Sequence, residues 1–282
     1  MTPSALLPDP VMVDVDGAVV ATYTMEPAGA PARTDVVLCH GTPWSAAVWA
    51  PVARALSDTH RVFLWDMPGY GQSITDTPAT IHLHRQASRL ATLIDHWGLT
   101  SPHVVAHDIG GAVALGAHLL NGVDYASLYL LDIVALPPWG SPFFRLVAQN
   151  EQVFAAVPPT LHRALAREYI AGAAAGPLGA DVLDDLVRPW STTAGQRAFY
   201  HQIAQLRPDQ TEPIADRLDR VRCRTRIGWG EADPWIPRDQ AAELAARLPG
   251  AVTAHYFPDA GHLVPLEAAR DVSAELATWL DD

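Results

Sequence analysis

Residues 106–111 read Ala106-His107-Asp108-Ile109-Gly110-Gly111, and this stretch decides the fold. Before it, His103–Ala106 is a short β-rich apolar run. After it, Gly111–Leu120 has the composition of a buried helix. A chain that turns from a buried strand straight into a helix needs small residues two before, two after and three after the apex of the turn. Ala106, Gly110 and Gly111 occupy those positions, and Asp108 stands at the apex. Two readings follow. Asp108 is either a helix cap at an ordinary βα turn, a common place for Asp, or a nucleophile held up at the carboxyl edge of a sheet.

The surrounding chain repeats the same alternation. Val11–Val15 and Ala18–Thr24 read as a hairpin around Asp16-Gly17. Asp35–Cys39, Arg61–Trp65 and Leu128–Asp132 are continuous apolar runs, as expected of strands covered on both faces. Helices are predicted over Ala46–Leu56 and Leu83–Trp97, the second with Leu90, Leu93, Ile94 and Trp97 on one face. From about Ala135 to Pro213 strand signal disappears, and alanines at helical spacing are broken by Pro137-Pro138 and Pro158-Pro159. Alternation resumes with Thr225–Gly228, Arg238–Leu248, Val252–Phe257 and Leu266–Leu280. The pattern predicts an α/β fold with a mostly parallel sheet flanked by helices. It divides the chain into a core, residues 1–134 and 214–282, and a helical cap, residues 135–213. Ligands of open α/β sheets bind beyond the carboxyl ends of the strands, so the cap is expected to roof the site.

Composition narrows the function. The chain has 282 residues, 49% of them hydrophobic, enough for a full core. Its net charge of −12 repels phosphate, which disfavours nucleic acid and anionic membrane as partners. No apolar run is long enough to span a bilayer, and the first thirty residues lack a basic segment followed by an apolar one, so no secretory signal is expected. Cys39 and Cys223 form no metal-binding or disulfide pattern, which fits a reducing cytoplasm. All nineteen basic residues are Arg, so chemistry that needs a lysine amine is excluded. No metal or cofactor is expected, and the partner expected is a small-molecule substrate. Oligomeric state, monomer or homodimer, is left open. The Ala, Arg and Pro richness suggests a GC-rich bacterial genome.

Four further motifs follow predicted strands. His40-Gly41-Thr42-Pro43 comes directly after Asp35–Cys39, and Gly-X-Pro is also common in ordinary loops. Pro43 would stiffen that loop and admits a cis bond. Asp66-Met67-Pro68-Gly69-Tyr70-Gly71-Gln72-Ser73 reads as a structural turn. Trp229-Gly230-Glu231-Ala232-Asp233-Pro234-Trp235-Ile236-Pro237 places Asp233 to orient a histidine, with Glu231 and, at the end of another strand, Asp132 as alternatives. Asp259-Ala260-Gly261-His262 sets His262 just after the last strand. The chain order nucleophile, acid, histidine is then Asp108, Asp233, His262.

With these motifs in this order, from about Val11 to the C-terminus, the chain resembles the α/β-hydrolase superfamily. Its Asp apex resembles the epoxide hydrolase and haloalkane dehalogenase branch. The resemblance implies an Asp108 nucleophile, a His262 base, and an oxyanion hole made by the Thr42 and Ile109 amides. An Asp nucleophile suits sp³ electrophiles such as epoxides or alkyl halides. Halide-releasing relatives typically carry Trp after the nucleophile, and those acting on fluoroacetate usually carry Arg there. Ile109 departs from both. Trp44, Trp49 and Trp139 remain as an atypical halide cradle. Epoxide hydrolases use two cap tyrosines as proton donors, and the cap contains Tyr169 and Tyr200, which could equally pack its interior. Epoxide opening is therefore the expected reaction, with halide release or a non-hydrolytic elimination or cyclisation using Asp108 and His262 as acid and base as alternatives.

Overall fold

The computed structural model describes residues 1–29, 31–250 and 252–281. Eight strands form one sheet: β1 (Val11–Val15), β2 (Ala18–Met25), β3 (Asp35–Cys39), β4 (Arg61–Trp65), β5 (His103–His107), β6 (Ser127–Leu131), β7 (Arg224–Gly230) and β8 (Ala254–Phe257). Their spatial order is β1-β2-β4-β3-β5-β6-β7-β8. β2 runs antiparallel to both β1 and β4, and every pair from β4 to β8 is parallel. The mostly parallel sheet expected from the alternation is observed, and with it the α/β-hydrolase fold that the resemblance implies.

Helices α1 (Ala50–Leu56), α2 (Leu83–His96), α3 (Ile109–Leu119), α10 (Asp239–Arg247), α11 (Val264–Glu267) and α12 (Ala269–Asp281) belong to the strand–helix alternation. Between β6 and β7 lie α4 (Pro142–Gln149), α5 (Glu151–Ala155), α6 (Pro159–Ala171), α7 (Ala180–Val187), α8 (Thr193–Gln205) and α9 (Glu212–Ala215), with no strand among the described residues.

The predicted helix over Ala46–Leu56 is in fact two pieces, a 3₁₀ turn at Ala46–Trp49 and then α1. Pro51 explains the break. It lacks an N–H to continue the ladder from the preceding turn and belongs in the first turn of a new helix. The predicted Leu266–Leu280 helix likewise divides, at Ala268 with φ −122°.

The parallel register brings the strand ends level. Cys39 pairs with Ala106, His107 with Leu131, Leu131 with Gly228 and Gly230 with Phe257. The motifs that follow these strands therefore emerge on one edge. From β3 the chain first goes to β4 on one side and later to β5 on the other, so a crevice opens between β3 and β5. Asp108 sits there. The tight join of β5 to α3 depends on its glycines: a Cβ on Gly110 would lie 2.4 Å from the His40 carbonyl oxygen, and one on Gly111 would lie 2.4 Å from Ile133 Cβ.

Candidate active site

Asp108 has φ 54° and ψ −130°, a conformation that non-glycine residues rarely hold. Three backbone hydrogen bonds keep it there. Its N–H donates to Leu131 O at 3.3 Å, and its carbonyl accepts from Gly111 N and Val134 N, both at 3.0 Å. Strain of this kind persists only where surrounding bonds over-determine it, and it clusters at functional sites. The side chain is nearly buried.

Each carboxylate oxygen of Asp108 has its own partner. The Thr42 N–H donates to Oδ1 at 2.6 Å. His262 Nε2 lies 3.2 Å from Oδ2. The peptide bond between Thr42 and Pro43 is cis. Ile109 opens α3 and lines the cavity above Asp108, but no bond runs from its amide to the carboxylate.

His262 turns its other nitrogen to the acid: Nδ1 donates to Asp233 Oδ2 at 2.8 Å. The second Asp233 oxygen accepts from Trp235 N at 2.7 Å and Ile236 N at 2.9 Å. Asp233, not Asp132 or Glu231, is therefore the partner of His262. Glu231 is exposed and faces Arg238. Asp132 is fully buried, and its Oδ1 accepts from Gly230 N at 2.8 Å. Asp132, Asp233 and His262 offer ligand-type atoms within 4.8 Å of one another. Within this group His262 Nδ1 is bonded to Asp233 and Asp132 Oδ1 to a backbone amide, and Asp132 Oδ2 has no partner among the described residues.

The electrostatics follow from burial and charge. Burial alone would lower the pKa of His262, but the carboxylates of Asp233 and Asp108 outweigh it and hold the imidazole well above its usual value. Burial would raise Asp233, and the His262 charge overrides it and holds that carboxyl below its usual value. His107, directly before Asp108, is pushed down to about 3 by burial and by the nearby His262. It stays neutral and donates from Nε2 to the His262 carbonyl at 2.7 Å.

The loop bearing His262 is clamped from three sides. Beyond His107, the His262 N–H donates to Ala173 O at 2.8 Å, just after α6. The Glu267 carboxylate accepts from Gly261 N and Leu263 N at 3.1 Å each and from Ala175 N at 2.7 Å. Trp235 packs at a tilt against the His262 ring, centroids 5.1 Å apart, and against Tyr169, 4.8 Å apart. Sequence reasoning assigned no role to Glu267, Trp235 or Gln202. Gln202 on α8 accepts from Thr42 Oγ1 at 2.5 Å and from Tyr70 Oη at 3.1 Å, tying the helical segment to the loop after β3. A lone Gln on a helix carries no sequence signal of such a role.

A cavity of about 380 Å³ opens onto Asp108, lined by Thr42, Ile109, Trp139, Phe144, Tyr169 and Trp235 among others. The two expected tyrosines part company here. Tyr169 lines the cavity, and burial, then the Asp108 charge, raise its pKa well above that of a free phenol. Tyr200 does not line it: its hydroxyl is fully inside the helical segment, bonded to His162 Nδ1 at 2.9 Å. The pairing of Tyr169 with Tyr200 is thus corrected; packing between α6 and α8 turns Tyr200 inward. The tryptophans do not assemble a halide cradle either. Trp49 Nε1 is spent on Cys39 O at 3.1 Å and Trp139 Nε1 on Thr211 Oγ1 at 2.9 Å. Trp44, whose buried Nε1 has no hydrogen-bond partner among the described residues, stacks on Trp235 at 5.8 Å and does not line the cavity.

Among the described residues, no helix is long and apolar enough to cross a membrane.

Known proteins place this geometry in a family. The profile described as "Alpha/beta hydrolase family" matches residues 36–275. A dihydrolipoyllysine-residue acetyltransferase component of an acetoin cleaving system from Cupriavidus necator is 32% identical over 276 residues, 95% of this chain and 68% of its own length. A putative carbamate hydrolase from Pseudomonas savastanoi is 27% identical, over 77% of this chain and 82% of its own. An alpha/beta hydrolase fold protein from Burkholderia ambifaria, solved by crystallography, is 41% identical with TM-score 0.86, covering 95% of this chain and 98% of that one. On fold, site geometry and these likenesses together, the chain belongs to the α/β-hydrolase family.

Proposed function

We propose that this α/β hydrolase opens a small, largely apolar epoxide through a covalent ester on Asp108. The observation that carries the reading is the division of the Asp108 carboxylate, one oxygen on the Thr42 amide at 2.6 Å and the other 3.2 Å from His262 Nε2, on the floor of a cavity.

In the first step one Asp108 oxygen attacks a ring carbon. The C–O bond of the ring breaks, and the oxygen leaving that carbon takes a proton from Tyr169. In the second step a water attacks the ester carbonyl of Asp108 while His262 accepts its proton. The oxyanion forms on Asp108 itself, where the Thr42 N–H already points, with Ile109 as the second donor. Collapse frees the diol and restores the carboxylate; the proton that His262 gives up once the ester has formed returns to the Tyr169 phenolate, so both side chains end the cycle as they began it. The charge balance suits this order. Before the reaction His262 lies between two carboxylates; after ester formation one of them is neutral, so the imidazole becomes easier to deprotonate and able to act as base. Asp233 orients it throughout.

Residues 135–213 serve in this reading as the cap over a core of 1–134 and 214–282. Tyr169 and Gln202 are its contributions to the site. Tyr200 is a packing residue of the cap. Halide release is disfavoured because the indole N–H groups of Trp49 and Trp139 are already bonded within the protein, and Trp44, whose N–H is unbonded, does not line the cavity. The relatives' names point to acyl and carbamoyl chemistry, but an acyl oxygen would need the Thr42 N–H that Asp108 occupies.

Intact-mass analysis of His262→Ala incubated with epoxide and haloalkane panels tests the proposal. The expected result is an adduct on Asp108 heavier by the full mass of the epoxide. An adduct heavier by an alkyl group less hydrogen would mean halide release. Turnover by the wild type with no adduct in the variant would mean acid–base chemistry without an ester.

A further inference from the structure

Asp132 directly follows β6, with a left-handed backbone, φ 46°, and a fully buried side chain. One of its oxygens is satisfied by Gly230 N at 2.8 Å. The other, Oδ2, is buried with no conventional donor in reach. A carboxylate oxygen left this way costs free energy, because burial removes its water and nothing replaces it. The neighbours make matters worse. Ligand-type atoms of Asp132, the Asp233 carboxylate and His262 lie within 4.8 Å of one another. Two anionic carboxyl groups this close cannot both stay ionised in an interior of low dielectric.

A single proton resolves both problems. If Asp132 is a neutral acid, its O–H becomes a donor to Asp233, and the orphaned oxygen gains a partner. We propose that Asp132 is a positioning residue: it keeps a proton between itself and Asp233, and this hydrogen bond fixes the carboxylate that orients His262. Independent support comes from burial, then the Asp233 charge, which together push the Asp132 carboxyl well above the usual range. The groups that face it are Asp233, His262 and Tyr129. Asp233 thereby receives donors from four directions: the Trp235 and Ile236 amides, His262 Nδ1 and Asp132.

The inference rests on His262 and Asp233 working as a pair, and its test needs no substrate, so it stands or falls separately from the ester mechanism. The first measurement is the infrared difference spectrum of wild type minus Asp132→Asn at about pH 8, above the usual range of free carboxyl groups. The expected result is a protonated-carboxyl carbonyl band that the variant loses. Its absence from the wild type overturns the proposal. The second is the NMR titration of the His262 ring. Asn at 132 is neutral and offers the same donor, so the His262 titration should not move. A downward shift in Asp132→Asn would show that a negative charge had been removed, and would overturn the proposal. In Asp132→Ala the donor is gone, and the hydrogen-bonded Nδ1–H resonance of His262 should broaden away while it persists in Asp132→Asn. A resonance equally sharp in both variants would show that Asp132 does not position the pair. Because Asp132→Asn preserves both the Gly230 bond and the shape, the first two readouts remain available if Asp132→Ala fails to fold.

Discussion

Asp108 is held in a backbone conformation that costs energy, and its two oxygens meet two donors of different kinds, a fixed amide and a movable imidazole proton. That asymmetry is what a two-step reaction requires. In the proposed reaction the amide would stabilise charge on Asp108, and the imidazole would act on the water that approaches it. Among the described residues, Tyr169 adds the only phenol in the cavity wall. Tyr169→Phe removes one hydroxyl and little packing. With an epoxide substrate, kcat should fall by roughly 10²–10⁴, the usual share of a general acid. With an alkylating probe whose leaving group needs no proton, adduct formation on Asp108 should be nearly unchanged. Equal losses on both substrates would show that Tyr169 acts on the shape of the site, not on the leaving oxygen. Asp108, Asp233 and His262 were legible in the sequence because each follows a strand beside small or turn-forming residues. The choice among Asp233, Glu231 and Asp132 was not, since all three sit near strand ends and only contact geometry tells them apart.

At the scale of elements, the turn from β5 into α3 depends on the absence of side chains. A methyl on Gly110 would press against the carbonyl oxygens of His40 and Cys39, at 2.4 and 2.7 Å, both backbone atoms that cannot swing aside. Gly110→Ala should therefore destabilise the fold by about 1–3 kcal/mol, the range for forced overpacking, seen as a lower urea midpoint with unchanged slope. An unaltered midpoint would show that the join has slack. The same scale shows where pattern reading reached its limit. β3, β4 and the parallel strands after them were recognisable from continuous apolar runs. The breaks at Trp49 and Ala268 were not, because helical periodicity continues across them while local bonding does not. The Glu267 carboxylate, for example, spends itself on three amides around the His262 loop. α8 was recognisable as a helix, but the direction in which Gln202 and Tyr200 point follows only from how α8 packs.

For the whole molecule, the histidines that are partly or fully buried set the response to acid. Seven have pKa values lowered chiefly by burial: His40, to about 4, His107, to about 3, and His60, His82, His103, His118 and His162 less far. A group depressed on folding contributes stability that is present above its unfolded value of about 6.5 and is lost as pH falls through its folded value. Asp66, raised to about 6, and Asp132 and Glu267, also raised, act in the opposite sense below neutrality. His262, raised above its usual value, also acts in the opposite sense, but its contribution is complete by about pH 6.5; below that the lowered histidines, His40 and His107 above all, outweigh the three raised carboxyls and leave a net loss. The melting temperature should decline steadily from about pH 7 to about pH 4. A flat or rising profile in that window would show that these histidines are not buried as described.

By itself, the sequence determined the alternation of strand and helix, the helical interval between β6 and β7, and the identity of the residues that end each strand. These are local properties: hydrophobic period, turn chemistry and small residues at close approaches repeat along the chain and can be read in order. Tertiary structure alone decided which acid meets His262, that Tyr169 faces the cavity and Tyr200 does not, and that Asp132 stands behind Asp233 with an unsatisfied oxygen. Those outcomes depend on distances between residues far apart in the chain, and a shift of a few ångströms between packed elements reverses them without changing any local pattern.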